Sequence, residues 1–499
     1  MYYIGYDIGS SSVKIALVES KSNKAVSVLS EPKEEMQIIS SQLNWAEQDP
    51  EIWWKYLCKG THRILSENNI DYKKILAVGI SYQMHGLVLV NSKGKSIRNS
   101  IIWCDSRAVD IGARAAKEIG KEKYSKHLLN APGNFTASKL KWVKENEKEI
   151  YAQAAHFMLP GDFIAFKLTN EIVTTKNGLS EGMLWDYHEK NIANWLLEHY
   201  EIDLKLVPPI VDNFEEQGKV TEKAALETGL PKGIPIRYRA GDQPNNAFSL
   251  NVLRPGEVAA SGGTSGVLFA VRDQPKSKEF SRVNHFAHVN YNLNQSLIGT
   301  LLCINGAGIQ YSWLKKMTEI SSFKKMNRFA AQVSVGCEGL INLPFGNGSE
   351  RMLDSKNIGS HFCNLNLNFH GQGHLFRSTL EGVAFSFAYG MEIMKADGID
   401  TKVIRAGNDN LFQSEIFSTT LSSLIGHPIE IYNTTGAVGA ARAAGLEKGE
   451  LIELSRSSND FDKVREILPE SDTQKYKETY EKWKLVLEQK ILNNDTYRR

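Results

Sequence analysis

Two aspartates in the chain stand where a predicted strand ends, which is a position suited to chemistry. Asp242 follows a β-type run at 234–240 and Gly241, and Asp7 follows a similar run at 2–6. A carboxylate just beyond the carboxyl end of a strand lies where open α/β sheets bind their ligands. Asp242 could therefore accept a proton from a bound hydroxyl, and Asp7 could hold a magnesium ion directly or through water. The alternative for Asp242 is that it only caps the following helix.

Close to each aspartate the chain has a turn rich in glycine and hydroxyl side chains. The first turn contains Gly9, Ser10, Ser11 and Ser12, and the second spans residues 261–266. Backbone N–H groups and hydroxyls in such turns suit phosphate oxygens. Either turn alone is equally consistent with an ordinary β-hairpin. Two similar turns, each flanked by predicted strands, indicate two related halves that each offer a hairpin to one nucleotide.

Length and composition limit the class of protein. A chain of 499 residues is too long for one core and fits two large domains. The net charge of +2 and the absence of basic clusters give no reason to expect a nucleic acid or an anionic membrane as partner. The amino terminus carries no signal-like segment, and no apolar run is long enough to span a membrane. Five widely spaced cysteines argue against a disulfide framework, so we expect a cytoplasmic protein.

The predicted elements place each aspartate at the end of a strand. Strands are predicted at 2–6, 13–19 and 75–81, in addition to the run before Asp242. Asp49 and Pro50 have the residue types of a helix N-cap and first helical position. Trp53, Leu57 and Ile64 in that helix are predicted to face a core, as are the residues on one face of the last predicted helix: Tyr476, Tyr480, Trp483, Leu487 and Ile491.

Two motifs make a family resemblance specific. The segment DIGSSSVK, residues 7–14, resembles the phosphate loop of the actin-like ATPase superfamily and in particular of its FGGY carbohydrate kinases. The segment QMHG, residues 83–86, resembles the place where the xylulokinases of this family bind their ketose. A lone histidine at a strand end is usually structural. The resemblance instead implies that His85 hydrogen-bonds to sugar hydroxyls and that Met84 forms an apolar wall.

The resemblance extends over nearly the whole chain and implies its architecture. The expected fold class is α/β, with two RNase H-like domains of the actin-like ATPase type around a deep cleft. Residues 1–246 would form an N-terminal domain with the sugar site and the first phosphate loop, and residues 247–499 a C-terminal, nucleotide-binding domain. No flexible linker marks this boundary, so it rests on the resemblance.

Further residues receive roles only through the resemblance. Asp105 and Arg107 lie in a segment that resembles one near the sugar in the family, and we predict a surface ion pair for them. The turn 404–410 departs from the glycine-rich family pattern at Ala406 and Asn408. The residues implied to contact the nucleotide are Gly9, Ser10, Ser11, Ser12, Gly263, Thr264, Gly306, Gln310, Gly407 and Asn408.

The activity implied is transfer of the ATP γ-phosphoryl group to the 5-hydroxyl of D-xylulose, with Asp242 as general base and substrate ligand and Asp7 organising Mg²⁺. Two other functions stay open. One is a related kinase for another polyol, such as ribulose, gluconate or glycerol. The other is a non-catalytic, actin-like ATP-dependent module that binds a protein partner. A homodimer is the assembly that the resemblance suggests.

Overall fold

The computed structural model describes residues 1–446 and 462–496. The first half of the chain is built around a five-stranded mixed sheet with the order β5-β4-β1-β2-β3. Strand β1 pairs antiparallel with β2 and parallel with β4. Asp7 and the carboxyl end of β4 therefore lie at the same end of the sheet. The strands are β1 (Tyr2–Ile8), β2 (Val13–Glu19), β3 (Ala25–Glu31), β4 (Ile75–Tyr82) and β5 (Ile236–Gly241).

The second half is built around a seven-stranded sheet with the order β8-β9-β7-β6-β10-β11-β12. Its strands are β6 (Glu257–Gly262), β7 (Gly266–Arg272), β8 (Asn284–Ala287), β9 (Ile298–Ile304), β10 (Val403–Gly407), β11 (Ile429–Tyr432) and β12 (Lys463–Ile467).

The two sheets share one arrangement. In each, three antiparallel strands are followed in the chain by two strands that add in parallel beside the first, giving β3-β2-β1-β4-β5 and β9-β7-β6-β10-β11. Strands β8 and β12 extend the second sheet at its edges. This repeated order is the RNase H-like arrangement, so the predicted two-domain α/β fold is confirmed.

Helices cover both sheets and connect them. They are α1 (Pro50–Glu67), α2 (Val109–Ile119), α3 (Lys121–His127), α4 (Thr136–Asn146), α5 (Lys148–Gln153), α6 (Pro160–Thr169), α7 (Lys176–Glu181), α8 (Asn194–His199), α9 (Glu222–Thr228), α10 (Asp242–Ser249), α11 (Gly308–Met317), α12 (Phe323–Ala330), α13 (Gln372–Ala396), α14 (Glu415–Ile425), α15 (Gly436–Ala444) and α16 (Gln474–Thr496).

Short elements complete the two halves. Five two-stranded ladders pair Glu47–Gln48 with Ser100–Ile101, Val88–Val90 with His156–Met158, Thr174–Thr175 with Ile210–Val211, Trp185–Asp186 with Asn191–Ile192, and Ile341–Phe345 with Gly359–Cys363. Single 3-10 turns lie at Tyr72–Lys74, Leu204–Leu206, Cys337–Gly339, Arg351–Leu353 and Asn410–Gln413.

The helix signals in the sequence are confirmed at α1. The Asp49 side chain accepts a hydrogen bond from the Glu51 amide at 3.0 Å, and Pro50 is the first helical residue. Trp53, Leu57 and Ile64 are fully buried against the first sheet. At the other end of the chain, the predicted face of α16 packs against the second sheet's core. The expected N-terminal boundary at Asn246 falls inside α10, which runs on to Ser249 before the second sheet begins.

Helix α15 belongs to the second half of the chain but packs on strands β1 and β4 of the first sheet. Glycines make this approach possible. A Cβ atom built onto Gly5 would lie 2.0 Å from the carbonyl oxygen of Ala437, and one built onto Gly79 would lie 1.9 Å from that of Ala440. Both distances are far shorter than any van der Waals contact, so these two strand positions require glycine. The two halves are therefore joined by backbone-to-backbone packing.

The predicted ion pair between Asp105 and Arg107 is present, but its predicted surface location is wrong, because both side chains are buried. Their exposed fractions are 0% and 1%, and a nitrogen of Arg107 lies 2.7 Å from Asp105. The Arg107 guanidinium also stacks over the ring of Trp45, with 3.8 Å to its centroid. The ion pair with Asp105 and the stacking on Trp45 offset the free-energy cost of removing the Arg107 guanidinium from water, so this side chain can be buried.

Among the helices at residues 1–446 and 462–496, none has both the length and the apolar character that crossing a bilayer requires. All five cysteines are free thiols, as their spacing predicts.

Replacing Gly79 by Ala tests the contact between α15 and the first sheet. The added methyl group overlaps the Ala440 carbonyl, so the helix or the strand must move; overpacking of this kind costs about 1–3 kcal/mol. We expect the free energy of unfolding in urea to fall by that amount. Gly371→Ala is the control, because a Cβ atom there meets nothing within 4 Å and the residue has a φ of −102°. Equal unfolding free energies for the two variants would contradict the packing.

Candidate active site

The first phosphate-type turn lies between β1 and β2 as the sequence predicts. Its bend is closed by a hydrogen bond from the Gly9 amide to the carbonyl of Ser12 at 3.0 Å. The Gln48 side chain donates to the carbonyl of Ser10 at 2.7 Å, and the Met36 amide donates to that of Ser11 at 2.8 Å. These bonds fix the turn from outside. They use its carbonyl groups, and the Ser10 hydroxyl accepts a longer hydrogen bond from the Trp103 ring nitrogen at 3.4 Å.

Asp7 lies at the carboxyl end of β1, beside this turn. Its carboxylate accepts a hydrogen bond from the Ser81 hydroxyl at 3.1 Å and lies 3.8 Å from the Lys14 ammonium. A Cβ atom built onto Gly436, the first residue of α15, would lie 2.8 Å from the same carboxylate. The glycine thus leaves room for Asp7 where the two halves of the chain meet.

Asp242 is the first residue of α10, directly after β5, as the sequence predicts. Helix α10 contacts β5 and β4 of the first sheet and β6 and β7 of the second. The Asp242 side chain therefore starts from the junction of the two sheets, and it is only partly accessible to solvent. Because strand β4 alone separates β5 from β1 in the sheet, Asp242 and Asp7 occupy the same end of it.

The electrostatics of this end are dominated by the two aspartates. Burial raises the pKa of the Asp242 carboxyl to about 7, and the charge of Asp7 contributes to the rise, whereas hydrogen bonding to Gln243 and the charge of Lys14 oppose it. A carboxyl group that titrates near neutral pH is well matched to accept a proton from a hydroxyl.

His85 lies one turn beyond the end of β4 in a left-handed backbone conformation, with a φ of 62°. This conformation is rare for residues other than glycine, and contacts from other segments of the chain stabilise it here. The buried ammonium of Lys139 donates hydrogen bonds to the carbonyls of His85, at 2.9 Å, and of Ile102, at 3.0 Å. The imidazole ring packs between Phe135 and Phe286, with centroid distances of 4.9 and 5.1 Å.

The tautomer of His85 follows from its partner. Its Nδ1 lies 2.9 Å from the main-chain carbonyl oxygen of Glu181, which can only accept, so Nδ1 carries the proton. Burial, together with the charge of Lys139, lowers the pKa of His85 to about 3, so the ring is neutral. Nε2 is then an acceptor. His85 is equipped to receive a hydrogen bond from a hydroxyl group and not to donate one.

The second phosphate-type turn joins β6 to β7, again as the sequence predicts. The amides of Gly308 and Ile309 donate to the carbonyls of Gly263, at 3.1 Å, and Thr264, at 3.0 Å. A Cβ atom built onto Gly308 would lie 2.3 Å from the Gly263 oxygen. The start of α11 therefore supports this turn closely.

A cavity of about 560 Å³ opens beside the second turn. The Tyr311 and Phe323 rings stack at 5.7 Å on one side of it, and the Tyr311 hydroxyl donates to Asn327 at 2.7 Å. Aromatic faces and amide groups of this kind suit a nucleobase and its ribose. The lining residues are Gly262, Gly263, Thr264, Gly308, Tyr311, Ser312, Phe323, Lys324, Asn327, Asn410, Leu411, Gln413 and Ser414.

Of the ten residues predicted to contact the nucleotide, Gly263 and Thr264 are in this lining, whereas the four residues of the first turn and four residues of the second half of the chain are not. Gly306 donates its amide to Glu350 at 2.6 Å and is pressed against the Pro344 carbonyl, which indicates a packing role. Gln310 is buried, and neither atom of its side-chain amide has a hydrogen-bond partner in the described part of the chain. Gly407 and Asn408 end β10, whereas Asn410 and Leu411 of the same turn reach the cavity. Nucleotide contact by these four residues stays a prediction.

Several residues near the predicted site were not singled out by sequence reasoning. Glu181 lies beside His85, and Lys139 holds that residue's main chain. The charge environment of the Cys303 thiol includes Asp242 and Arg351, so β9 reaches the same end of the first sheet. A glycine- and serine-rich segment around Glu181 was the one signal available, because such loops often carry functional groups.

Comparison with known proteins identifies the family. The model of the FGGY family of carbohydrate kinases, N-terminal domain, matches residues 2–249, and that of its C-terminal domain matches residues 258–447. A relative from Bacillus subtilis (strain 168), a xylulose kinase, is 28% identical over 503 residues, which cover 97% of this chain and 96% of the relative.

Solved structures agree on the fold. A xylulose kinase from Rhodospirillum rubrum superimposes with a TM-score of 0.85 at 24% identity, covering 97% of this chain and 98% of that one. A gluconate kinase from Lactobacillus acidophilus superimposes with a TM-score of 0.86 at 20% identity, covering 99% of each chain. Because proteins named for different sugars fit equally well, the fold does not select the acceptor.

Asp242→Asn tests the electrostatics without any assay of activity. The native state binds the Asp242 proton more tightly than the unfolded chain, since its pKa of about 7 exceeds the ordinary value of about 3.9. Its contribution to stability is thus full below about pH 4 and is lost as the pH rises through about 7. Asparagine cannot ionise, so the variant should be more stable than wild type at pH 8, by up to about 4 kcal/mol, since each pKa unit corresponds to about 1.4 kcal/mol.

Thermal unfolding of wild type and Asp242→Asn, measured from pH 4 to pH 8, tests this predicted difference in stability. We expect the two melting temperatures to converge at pH 4 and to separate at pH 8 with the variant higher. A variant that is less stable than wild type at pH 8 would show that the Asp242 carboxylate is well compensated in the native state.

Proposed function

Because the chain belongs to the FGGY family of carbohydrate kinases, we propose that it transfers the γ-phosphoryl group of ATP to a hydroxyl of D-xylulose and yields D-xylulose 5-phosphate. The named relative at 28% identity supports xylulose as the acceptor. The observation that carries the proposal is the meeting of Asp242, with its raised pKa, and Asp7 at one end of the first sheet.

Asp242 is the proposed general base. In the reaction the acceptor oxygen forms a bond to the γ-phosphorus, the bond between that phosphorus and the β,γ-bridging oxygen breaks, and ADP leaves. The acceptor hydroxyl gives its proton to the Asp242 carboxylate. Phosphoryl transfer has a loose transition state, so it requires alignment and charge neutralisation more than covalent help from the protein.

Asp7 and the two turns are proposed to hold Mg²⁺·ATP. Magnesium prefers oxygen ligands and keeps several of its waters, so one carboxylate such as that of Asp7 suffices. The metal supplies charge that offsets the phosphate oxygens. Backbone amides and hydroxyls of residues 9–12 and of Gly263 and Thr264 would bind the phosphates, and the cavity beside Tyr311 would take the nucleoside.

His85 and Met84 are proposed to bind the sugar. His85 offers Nε2 as an acceptor to a sugar hydroxyl, and the buried Met84 side chain supplies an apolar surface. Domain closure around both substrates would exclude water and limit hydrolysis of ATP. We also propose a cytoplasmic location, consistent with five free thiols. A homodimer stays a prediction.

The acceptor is tested by ADP release with Mg²⁺ and ATP over a panel of D-xylulose, ribulose, gluconate and glycerol. We expect D-xylulose to give the highest kcat/KM. Release of ADP that no sugar stimulates would favour the non-catalytic ATPase module, and a different best sugar would correct the substrate.

In the same assay, Asp242→Ala should lower kcat by about 10²–10⁴, the usual contribution of a positioned base, while ATP binding measured by calorimetry is retained. Asp110→Ala, at an exposed position on α2, is the matched control and should keep full activity. Turnover by Asp242→Ala at the control's rate would refute the assignment of the base.

His85→Ala separates sugar binding from nucleotide binding. Loss of one hydrogen bond should raise the KM for the sugar by roughly 3- to 10-fold and leave the KM for ATP unchanged. His188→Ala, whose side chain is 46% exposed, is the control. An unchanged sugar KM in His85→Ala would remove His85 from the sugar site.

A further inference from the structure

The side chain of Glu181 is an unexplained acidic group behind the proposed sugar site. It is the last residue of α7 and is 2% exposed. Neither carboxyl oxygen has a hydrogen-bond partner among the residues that the structure describes. A buried carboxyl without partners is costly, so its presence calls for a role.

Glu181 contacts His85 from behind. Its main-chain oxygen accepts the hydrogen bond from His85 Nδ1 at 2.9 Å, and its side-chain Oε2 lies 3.9 Å from the same nitrogen. The side chain thus lies next to the one bond that fixes the ring's tautomer. A shift of residue 181 would weaken that bond and with it the preference for the tautomer protonated at Nδ1.

Glu181 also packs against the junction between β5 and α10. A Cβ atom built onto Gly241 would lie 3.1 Å from Glu181 Oε2 and 2.6 Å from Met84 Cγ. Gly241 therefore leaves the space that these two side chains fill, immediately before Asp242. Glu181 therefore lies beside His85 and beside Gly241, the residue that precedes Asp242 and faces Met84.

The surroundings of Glu181 favour the protonated form of its carboxyl. Burial raises its pKa well above the ordinary range, and the charges of Asp242 and Asp162 act in the same direction. The Tyr82 hydroxyl lies beside it, without the geometry of a full hydrogen bond. An uncharged carboxyl adds no repulsion to Asp242, and glutamine has nearly the same shape.

Helix α7 is anchored to the second half of the chain, so Glu181 has a fixed position. The Ser180 hydroxyl accepts a hydrogen bond from the Ala287 amide at 2.7 Å. The Asn177 side chain donates to the carbonyls of Ala287, at 2.9 Å, and His288, at 2.7 Å. The same strand, β8, carries Phe286, which packs on the other side of His85.

We propose that Glu181 is a positioning residue of the sugar site, which holds the His85 imidazole with Nε2 free to accept and supports the Gly241–Asp242 junction. This inference rests on the proposed function for its kinetic consequences. It does not require any particular sugar.

Two substitutions and one control test this role. Glu181→Gln keeps the shape and the uncharged state, so it should retain the sugar KM and kcat within about 3-fold. Glu181→Ala opens space behind both His85 and Gly241, and we expect the sugar KM to rise at least about 10-fold with an unchanged ATP KM. If Glu181→Ala does not fold, Glu181→Asp replaces it, because its side chain is shorter by one methylene and withdraws the carboxyl from His85 and Gly241. Glu189→Gln, 62% exposed in the same segment, is the control.

Nitrogen-15 NMR of the histidine rings gives a readout that general destabilisation would not move. The wild-type His85 signal, identified by its loss in His85→Asn, should be that of a neutral ring protonated at Nδ1 from pH 5 to pH 8. Glu181→Gln should keep this signature, and Glu181→Ala should shift it toward a mixture of tautomers.

The outcomes separate the two proposals. Wild-type kinetics and ring signals in Glu181→Ala, or a loss in Glu181→Gln as large as in Glu181→Ala, would overturn the role of Glu181. If the wild-type protein phosphorylates no sugar, the proposed function fails, and the NMR comparison alone still decides whether Glu181 fixes His85.

Discussion

Close packing of α15 on the first sheet is the contact on which the site depends. The helix comes from the second half of the chain, and its main chain lies against Gly5 and Gly79. Its first residue, Gly436, borders the Asp7 carboxylate, and the Asn245 side chain donates to the Gly436 carbonyl at 2.8 Å. Because backbone meets backbone here, the relative position of the two sheets is set without adjustable side chains.

The same junction brings three acidic side chains together. Asp7, Asp242 and Glu181 lie in a small volume, and burial raises the pKa of the last two. Such an arrangement destabilises the folded protein and prepares it for proton transfer, which is a common compromise at active sites. His85 fits this pattern, because its neutral ring can accept a hydrogen bond from a hydroxyl group without adding charge to the site.

Local sequence patterns predicted the strands that flank the two turns, the turns themselves and the positions of Asp7 and Asp242 at strand ends, because these depend on residues adjacent in the chain. These patterns did not predict features that depend on contacts between residues far apart in the chain. The burial of Arg107 depends on stacking with Trp45, and the site near Glu181 depends on contacts between α7 and β8. The family resemblance implied nucleotide contacts at Gly407 and Asn408, whereas the cavity beside the second turn is lined by Asn410 and Leu411, a difference that depends on the three-dimensional path of the chain.

The geometry of the reacting groups tests the central claim most directly. A crystal structure with D-xylulose and a non-hydrolysable ATP analogue would give the distance from the Asp242 carboxylate to each sugar hydroxyl. The account predicts about 2.6–3.2 Å to the 5-hydroxyl, with that oxygen in line with the γ-phosphorus. A carboxylate turned away from the sugar, or a different acidic residue at that hydroxyl, would contradict it.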